Sequence, residues 1–327
     1  MPRLLIVKTS SLGDVIHNLP ILADIRLHFP DMRFDWVVEE GFADVPGLHP
    51  LVEDVIPIAI RRWRHCLLSP ATWREISAFR KRLATRRYDG VLDTQGLLKS
   101  AVIAACAHGQ RHGYDWLSAR EPLASLLYSH RHAVALQHHA VTRNRMLAAQ
   151  ALGYAMPATV PVYGLQTPDQ TVPGLPSHYV VALHASSRPS KLWPTACWIA
   201  LGGALARQGI RFVLPWGNAE ERDRAEEIAS TVPGALVLPR LRLAALAGVV
   251  AGALGAVGVD TGLIHLAAAL DVPVVAVYTD SDPARTGVLG PHPARYLNLG
   301  GIGQEPSWEA VLAAFQHVAA DRLASAL

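Results

Sequence analysis

The chain has 327 residues, half of them apolar and 17% charged, with a formal net charge of +3. That composition excludes a disordered or membrane-embedded chain, and the length suits two domains of about 150 residues each. Three cysteines, Cys66, Cys106 and Cys197, lie far apart, which excludes a disulfide framework and a cysteine metal site and points to a reducing compartment.

The first element is carried by "LLIVKTSSLGDVIHNLP", residues 4–20. Its apolar run reads as a buried strand, followed by a loop and a helix that runs to about His28 and stops at Pro30. Pro20 leaves the helix start open. It fits a first turn capped by Asn18, or it kinks a helix that begins near Asp14. Only four apolar residues separate Arg3 from Lys8, so no signal peptide is expected. "RFDWVVEE" and "VEDVIPIAI" read as strands, residues 72–87 as a helix and "YDGVLDTQ" as a strand. Such alternation implies a parallel sheet flanked by helices.

Residues 156–176 then hold five prolines: Pro157, Pro161, Pro168, Pro173 and Pro176. No helix survives that density, so this is the linker, and the domains are placed at 1–160 and 161–327. The pattern restarts with "YVVAL" as a strand, residues 195–208 as a helix, "IRFVLP" as a strand and "GNAEERDRAEEIAS" as a charged helix. One uncharged and apolar run, residues 243–259, has 17 residues. A membrane span needs about 20, so this run reads as a buried helix and then a buried strand of a soluble protein. "DTGLIHLAAAL" is a loop and helix, and "VPVVAVY" a strand. Two open α/β domains facing each other make a cleft, and ligands bind outside the carboxyl ends of their strands. The loops after strands are therefore where chemistry is sought.

In the second half, Asp260 or Thr261 can cap the helix that follows, and Gly262 lets another group approach the backbone. Unpaired amides at a helix start accept anions. Taken alone, this is a plain cap, and His265 an ordinary buried histidine. "HASSRPSKLWP" offers Ser186, Ser187 and Lys191 to a phosphate without a Walker glycine cradle. Two anion-friendly loops favour a diphosphate between them. Glu220 and Glu221 suit the helix dipole at their helix start, and a carboxylate there can also accept from ribose hydroxyls.

In the first half, Asp14 stands among hydroxyls, either as a helix cap or as a general base. Residues 61–87 hold nine basic residues and one acid, with Trp63 and Trp73 between them. The guanidiniums of Arg61, Arg62 and Arg64 repel one another unless an anion is expected. Residues 1–165 carry 19 Lys+Arg against 14 Asp+Glu, and residues 166–327 carry 11 against 13. The first half is thus the one to meet an anion. Nucleic acid is not expected, since no nucleic-acid motif is present. Asp93, Gln95, Lys99 and Arg120 stand beside apolar helical runs; Asp93 can be a buried structural carboxylate and Arg120 a salt-bridge partner. None of these loops carries a DxD triplet or a histidine cluster, so no metal is expected.

Eight stretches are jointly specific: "VKTSSLGDVIHNLP", "FDWVVEEGFA", "IRRWR", "DTQGLLKSA", "HGYDW…AREPLAS", "HASSR…KLWP", "LPWG" and "DTGLIHLAAAL". In this order, from residue 1 to about 280, they resemble the lipopolysaccharide heptosyltransferase I family. The resemblance implies a GT-B fold, two Rossmann-like parallel-sheet domains across a cleft, with a last helix that can cross back to the first. It implies inverting, metal-independent transfer of L-glycero-D-manno-heptose from ADP-heptose to Kdo2-lipid A, without a cofactor. A monomer peripheral to the anionic cytoplasmic face of the inner membrane is expected. Asp14 would be the base. Ser186, Ser187 and Lys191 would hold the diphosphate with Asp260, Thr261, Gly262 and His265. Glu221 would take the ribose and Leu241 would lie near adenine. Ser10, Ser11, Gly13, Arg61, Arg62, Arg64, Gln95, Lys99 and Arg120 would hold the acceptor. The resemblance departs at His65, where lysine usually follows "RRWR"; an ordinary histidine is mostly neutral at pH 7.

Other readings fit less of the chain. A dinucleotide oxidoreductase lacks its G-x-G-x-x-G after either first strand. A non-catalytic nucleotide-binding regulator has no use for Asp14 or the arginine cluster. A transferase with another sugar nucleotide or acceptor stays open from the residues alone.

Overall fold

Leu4 to Val7 are enclosed because β1 (Arg3–Val7) lies inside a six-stranded sheet. Its companions are β2 (Arg33–Glu39), β3 (Val52–Ile58), β4 (Arg87–Asp93), β5 (His108–Tyr114) and β6 (His130–His132). The order is β3-β2-β1-β4-β5-β6, and every pairing is parallel. Apolar runs buried on both faces are what such a sheet requires. The computed structural model describes residues 1–167 and 172–326, so Pro168 of the linker lies outside the described residues. The chain divides into two units, Met1–Thr159 and Val160–Leu327.

The second unit repeats the plan. Its strands are β7 (Tyr179–Leu183), β8 (Arg211–Leu214), β9 (Leu236–Val237), β10 (Gly255–Val259), β11 (Val274–Tyr278) and β12 (Tyr296–Gly300). They run β12-β11-β10-β7-β8-β9, all parallel. Counted from the first strand of each unit, the two orders are identical. Each sheet therefore reverses direction between its first and fourth strands, β1/β4 and β7/β10. Loops leaving those four strands flank the switch points where open α/β sheets bind ligands.

Pro20 settles between its two alternatives. A short helix, Leu12–Ile16, ends first, and Pro20 then opens the helix Pro20–His28, where its missing N–H costs nothing. The residue before it is Leu19, so Asn18 is not the cap. Strands β5 ("HGQRHGY") and β6 ("HRH") carry no apolar run and went unpredicted; they exist because β4 offers an edge to pair with. The last helices stay with the second unit. Val311, Phe315 and Val318 of the helix Trp308–Val318 pack into a core with Trp198 and Val275. Arg322 of the helix Ala320–Ala326 donates to the carbonyl of Ala253.

Candidate active site

In the first unit, the loops after β1 and β4 are tied together. The Thr9 amide and hydroxyl both donate to Gln95 Oε1, at 2.7 and 2.8 Å. Lys8 Nζ donates to the Thr94 carbonyl at 2.9 Å. Gln95 itself is fixed by the buried Asp93, whose Oδ1 accepts from the Gln95 and Gly96 amides and whose Oδ2 accepts from the Tyr128 hydroxyl. Asp93 is thus the structural carboxylate, pushed up by burial against these bonds. Ser10 Oγ accepts from Gln95 Nε2 and Lys99 Nζ, each at 3.4 Å. Ser10, Gln95 and Lys99 are therefore brought together.

Asp14 sits one turn into the helix Leu12–Ile16. Its Oδ2 accepts from the Ser11 amide and hydroxyl, both at 3.0 Å, and its Oδ1 accepts from Arg120 Nη2 at 2.7 Å. The capping reading and the salt-bridge reading are both physically present. They leave room for the third, because a carboxylate offers about four lone-pair sites. A small cavity beside it is lined by Lys8, Tyr114, Arg120, Arg143 and Asn144. Burial opposes ionisation of Asp14, but Lys8 and Arg120 outweigh it and hold the carboxyl well below the usual range. Lys8, buried at 3% exposure, is the residue that sequence reading missed. Burial pushes its pKa down to about 8 against the pull of Asp14. The signal was available: a lysine at the end of a strand buried on both faces must find partners inside.

In the arginine cluster, one guanidinium is paired with carboxylates of its own unit. Arg62 forks onto Glu40 with Nε and Nη2, both at 3.1 Å, and its Nη1 reaches Glu75 at 3.1 Å. Trp63 is buried and donates to Glu75 Oε2 at 2.8 Å. Like charge is tolerated here because two carboxylates meet one guanidinium, and Trp63 faces the core rather than a membrane. Arg61 lies over the Phe42 ring, and its amide donates to Glu39 Oε1. Arg64 is exposed and donates to His65 Nε2. All three follow β3, beyond β2 from the Asp14 group.

In the second unit, Asp260 gathers the loops after β7 and β10. Its Oδ2 accepts from Lys191 Nζ at 2.5 Å and from Ser281 Oγ at 2.6 Å, while its carbonyl accepts from Ser186 Oγ at 3.1 Å. His265 Nε2 stands 4.0 Å from Oδ1. Asp260 is therefore engaged with Lys191 rather than capping. The cap position of the helix Gly262–Ala269 is Thr261, whose side chain makes no capping bond. First-turn amides at such a start remain open to an anion, beside Lys191 and the serines. Ser187 lies on the same loop, exposed. Glu221 spends its oxygens on its own cap, accepting from the Gly217 amide and Asn218 Nδ2. Leu241 packs against the core of its unit. One triplet was passed over: Asp280, Ser281 and Asp282 form a DxD after β11. Ser281 is tied to Asp260, and Asp282 caps the turn Pro283–Thr286 through the Ala284 amide. No group of three His, Cys, Asp or Glu residues suited to a metal occurs among the described residues.

The chain is similar to known proteins. A profile described as glycosyltransferase family 9 (heptosyltransferase) matches residues 76–308. Lipopolysaccharide heptosyltransferase 1 of Escherichia coli K12 is 49% identical over 290 residues, 88% of this chain and 91% of that one. The protein of that name from Pseudomonas aeruginosa PAO1 is 49% identical over 291 residues, 88% of this chain and 81% of that one. The solved structure of E. coli heptosyltransferase WaaC with ADP aligns at a TM-score of 0.87 with 46% identity, covering 94% of this chain and 97% of that one. The paired parallel sheets are those of the GT-B fold, and the chain belongs to glycosyltransferase family 9, the heptosyltransferases.

Proposed function

We propose that this chain transfers L-glycero-D-manno-heptose from ADP-heptose to Kdo2-lipid A, with inversion and without a metal ion. Its likeness to lipopolysaccharide heptosyltransferase 1 supports the reaction, and WaaC has been solved with ADP-2-deoxy-2-fluoro heptose. The observation that carries the mechanism is the Asp14 carboxylate, ionised and held at a switch-point loop beside two cations. An acceptor hydroxyl gives its proton to Asp14, and its oxygen attacks the anomeric carbon opposite the diphosphate. The bond from that carbon to ADP breaks, and its electron pair leaves with the diphosphate. Lys191 and the amides after Thr261 neutralise that charge. Arg61, Arg64, Lys99 and Arg120 meet the carboxylates and phosphates of the acceptor at the cytoplasmic face of the inner membrane. The chain works there as a peripheral monomer.

The test is Asp14→Asn. Asparagine caps as well as aspartate, within a few tenths of a kcal/mol, but it cannot take the proton. The variant should fold and bind ADP-heptose normally while kcat falls about 10²–10⁴-fold. A variant with near-normal kcat would reduce Asp14 to a cap.

A further inference from the structure

Two helices of the first unit, Pro70–Thr85 and Leu98–Ala105, lie on one face of its sheet. Phe79 and Leu83 from one and Ile103 and Ala104 from the other share a core with Val7 and Val91. Above that core their outer edges enclose a groove of about 480 Å³, within the range of ligand clefts. Ile76, Ala84 and Cys106 line it with apolar surface, Trp73 stands at its mouth, and its rim holds Arg80 and Lys81. This groove belongs neither to the Asp14 site nor to the donor loops.

The charges around it are sorted. The one acid of the helix, Glu75, is used by Arg62 and Trp63, and Arg82 is paired with Asp54. No carboxylate pairs with Arg80 or Lys81 among the described residues. The rim is therefore uncompensated positive charge over an apolar floor. Exposed apolar side chains adjoin it in the same helices and the loop before them. Trp73 is 58% exposed, Val102 51%, and Leu68 fully exposed. Trp73 Nε1 donates to the Leu67 carbonyl, which fixes the ring at the mouth of the groove. Twelve of the fifteen large apolar side chains exposed among the described residues lie in this unit, which also carries the net positive charge. A patch that is apolar, aromatic and basic together matches the interface of an anionic bilayer, where rings sit at headgroup level and cations meet phosphate.

We propose that this groove is a lipid-docking site that takes an anionic phospholipid from the membrane surface. An acyl segment lies on Trp73, Ile76 and Ala84, and the phosphate lies between Arg80 and Lys81. The site needs no heptose acceptor, so it stands or falls separately from the transfer reaction.

The experiment is flotation of the full chain with acceptor-free vesicles, of phosphatidylcholine alone or mixed with phosphatidylglycerol, at low and high salt. The chain should float with the mixed vesicles and less so at high salt. Arg80→Glu with Lys81→Glu should weaken that binding by at least about thirtyfold, from roughly fivefold for each basic residue lost. ADP affinity and melting temperature should be unchanged. Trp73→Phe should abolish the part of the tryptophan fluorescence that lipids brominated on the acyl chain quench. Failure to float with either vesicle, or equal flotation of wild type and charge variant, overturns the proposal. So does quenching that is unchanged in Trp73→Phe.

Discussion

Asp14 and its two cations set the behaviour of the site residue by residue. Arg120 donates to one oxygen of Asp14 while the helix cap takes the other. The carboxyl therefore stays ionised at neutral pH, at some expense in basicity, since a weaker conjugate base takes a proton less readily. An acceptor anion that draws Arg120 away would relax this restraint as the proposed base takes its proton. Arg120→Gln should accordingly raise the Asp14 titration midpoint, read by carboxyl ¹³C NMR with Asp14→Asn to assign the signal. An unmoved midpoint would show that Arg120 does not hold the carboxylate down. Lys8 makes a stability prediction with the opposite sign of charge. Its folded value is pushed down to about 8, whereas a lysine in the unfolded chain titrates near about 10.4. Between these values the unfolded chain holds a proton that the native state has released, so stability gains as pH rises through that window. The stability of wild type relative to Lys8→Met should climb by about 3 kcal/mol from pH ~8 to pH ~10.4. Parallel curves in chemical denaturation would remove Lys8 from the titration.

At the scale of elements, the donor half rests on two loops latched by one carboxylate. Lys191 reaches across from the β7 loop to Asp260 after β10, and Ser186 bonds the carbonyl of the same residue. A diphosphate seated there meets an ammonium already in place, which lowers the cost of ordering it on binding. Lys191→Ala should weaken ADP-heptose binding about ten- to a hundredfold, from about 1.5–3 kcal/mol for a charge-assisted bond. Unchanged affinity by calorimetry would move the diphosphate elsewhere. The same elements show what was legible in the sequence. β1, β7 and β10 lie inside their sheets, so their apolar runs announce them, and the loops after them could be searched directly. β5 and β6 went unpredicted, since a strand recruited by an edge needs no apolar pattern of its own. The pairing of Arg62 was not legible for a different reason. Its partners Glu40 and Glu75 lie 22 and 13 residues from Arg62, and only the fold brings them to one guanidinium. Lys8 went unnoticed because its charge looked like the end of a strand, whereas the parallel neighbour β4 covers it with Thr94.

Across the whole molecule, the residues proposed to hold the donor are confined to one unit. Ser186, Lys191, Glu221, Asp260 and the start of the helix Gly262–Ala269 all lie in Val160–Leu327. That unit has its own sheet and two cores of its own, one around Trp198, Phe212 and Phe315 and one around Leu246, Ile264 and Tyr278. The terminal helices close the first of these, and Tyr163 near the start of the unit donates to the Leu289 carbonyl. Both ends of this unit are thus secured within it. A unit of that size with a complete core is in the range that folds alone. Residues 160–327 expressed by themselves should unfold in one cooperative transition and bind ADP within about tenfold of the full chain, a difference of ~1.4 kcal/mol. Excess ADP at about a hundred times Kd should then stabilise the fragment by about 2.7 kcal/mol. With Lys191→Ala, ten- to a hundredfold weaker, the same ADP concentration should stabilise the fragment by only about 0.4–1.4 kcal/mol. A fragment that folds but fails to bind ADP would mean that the first unit supplies part of the donor site, and the division of labour between the two sheets would have to be redrawn.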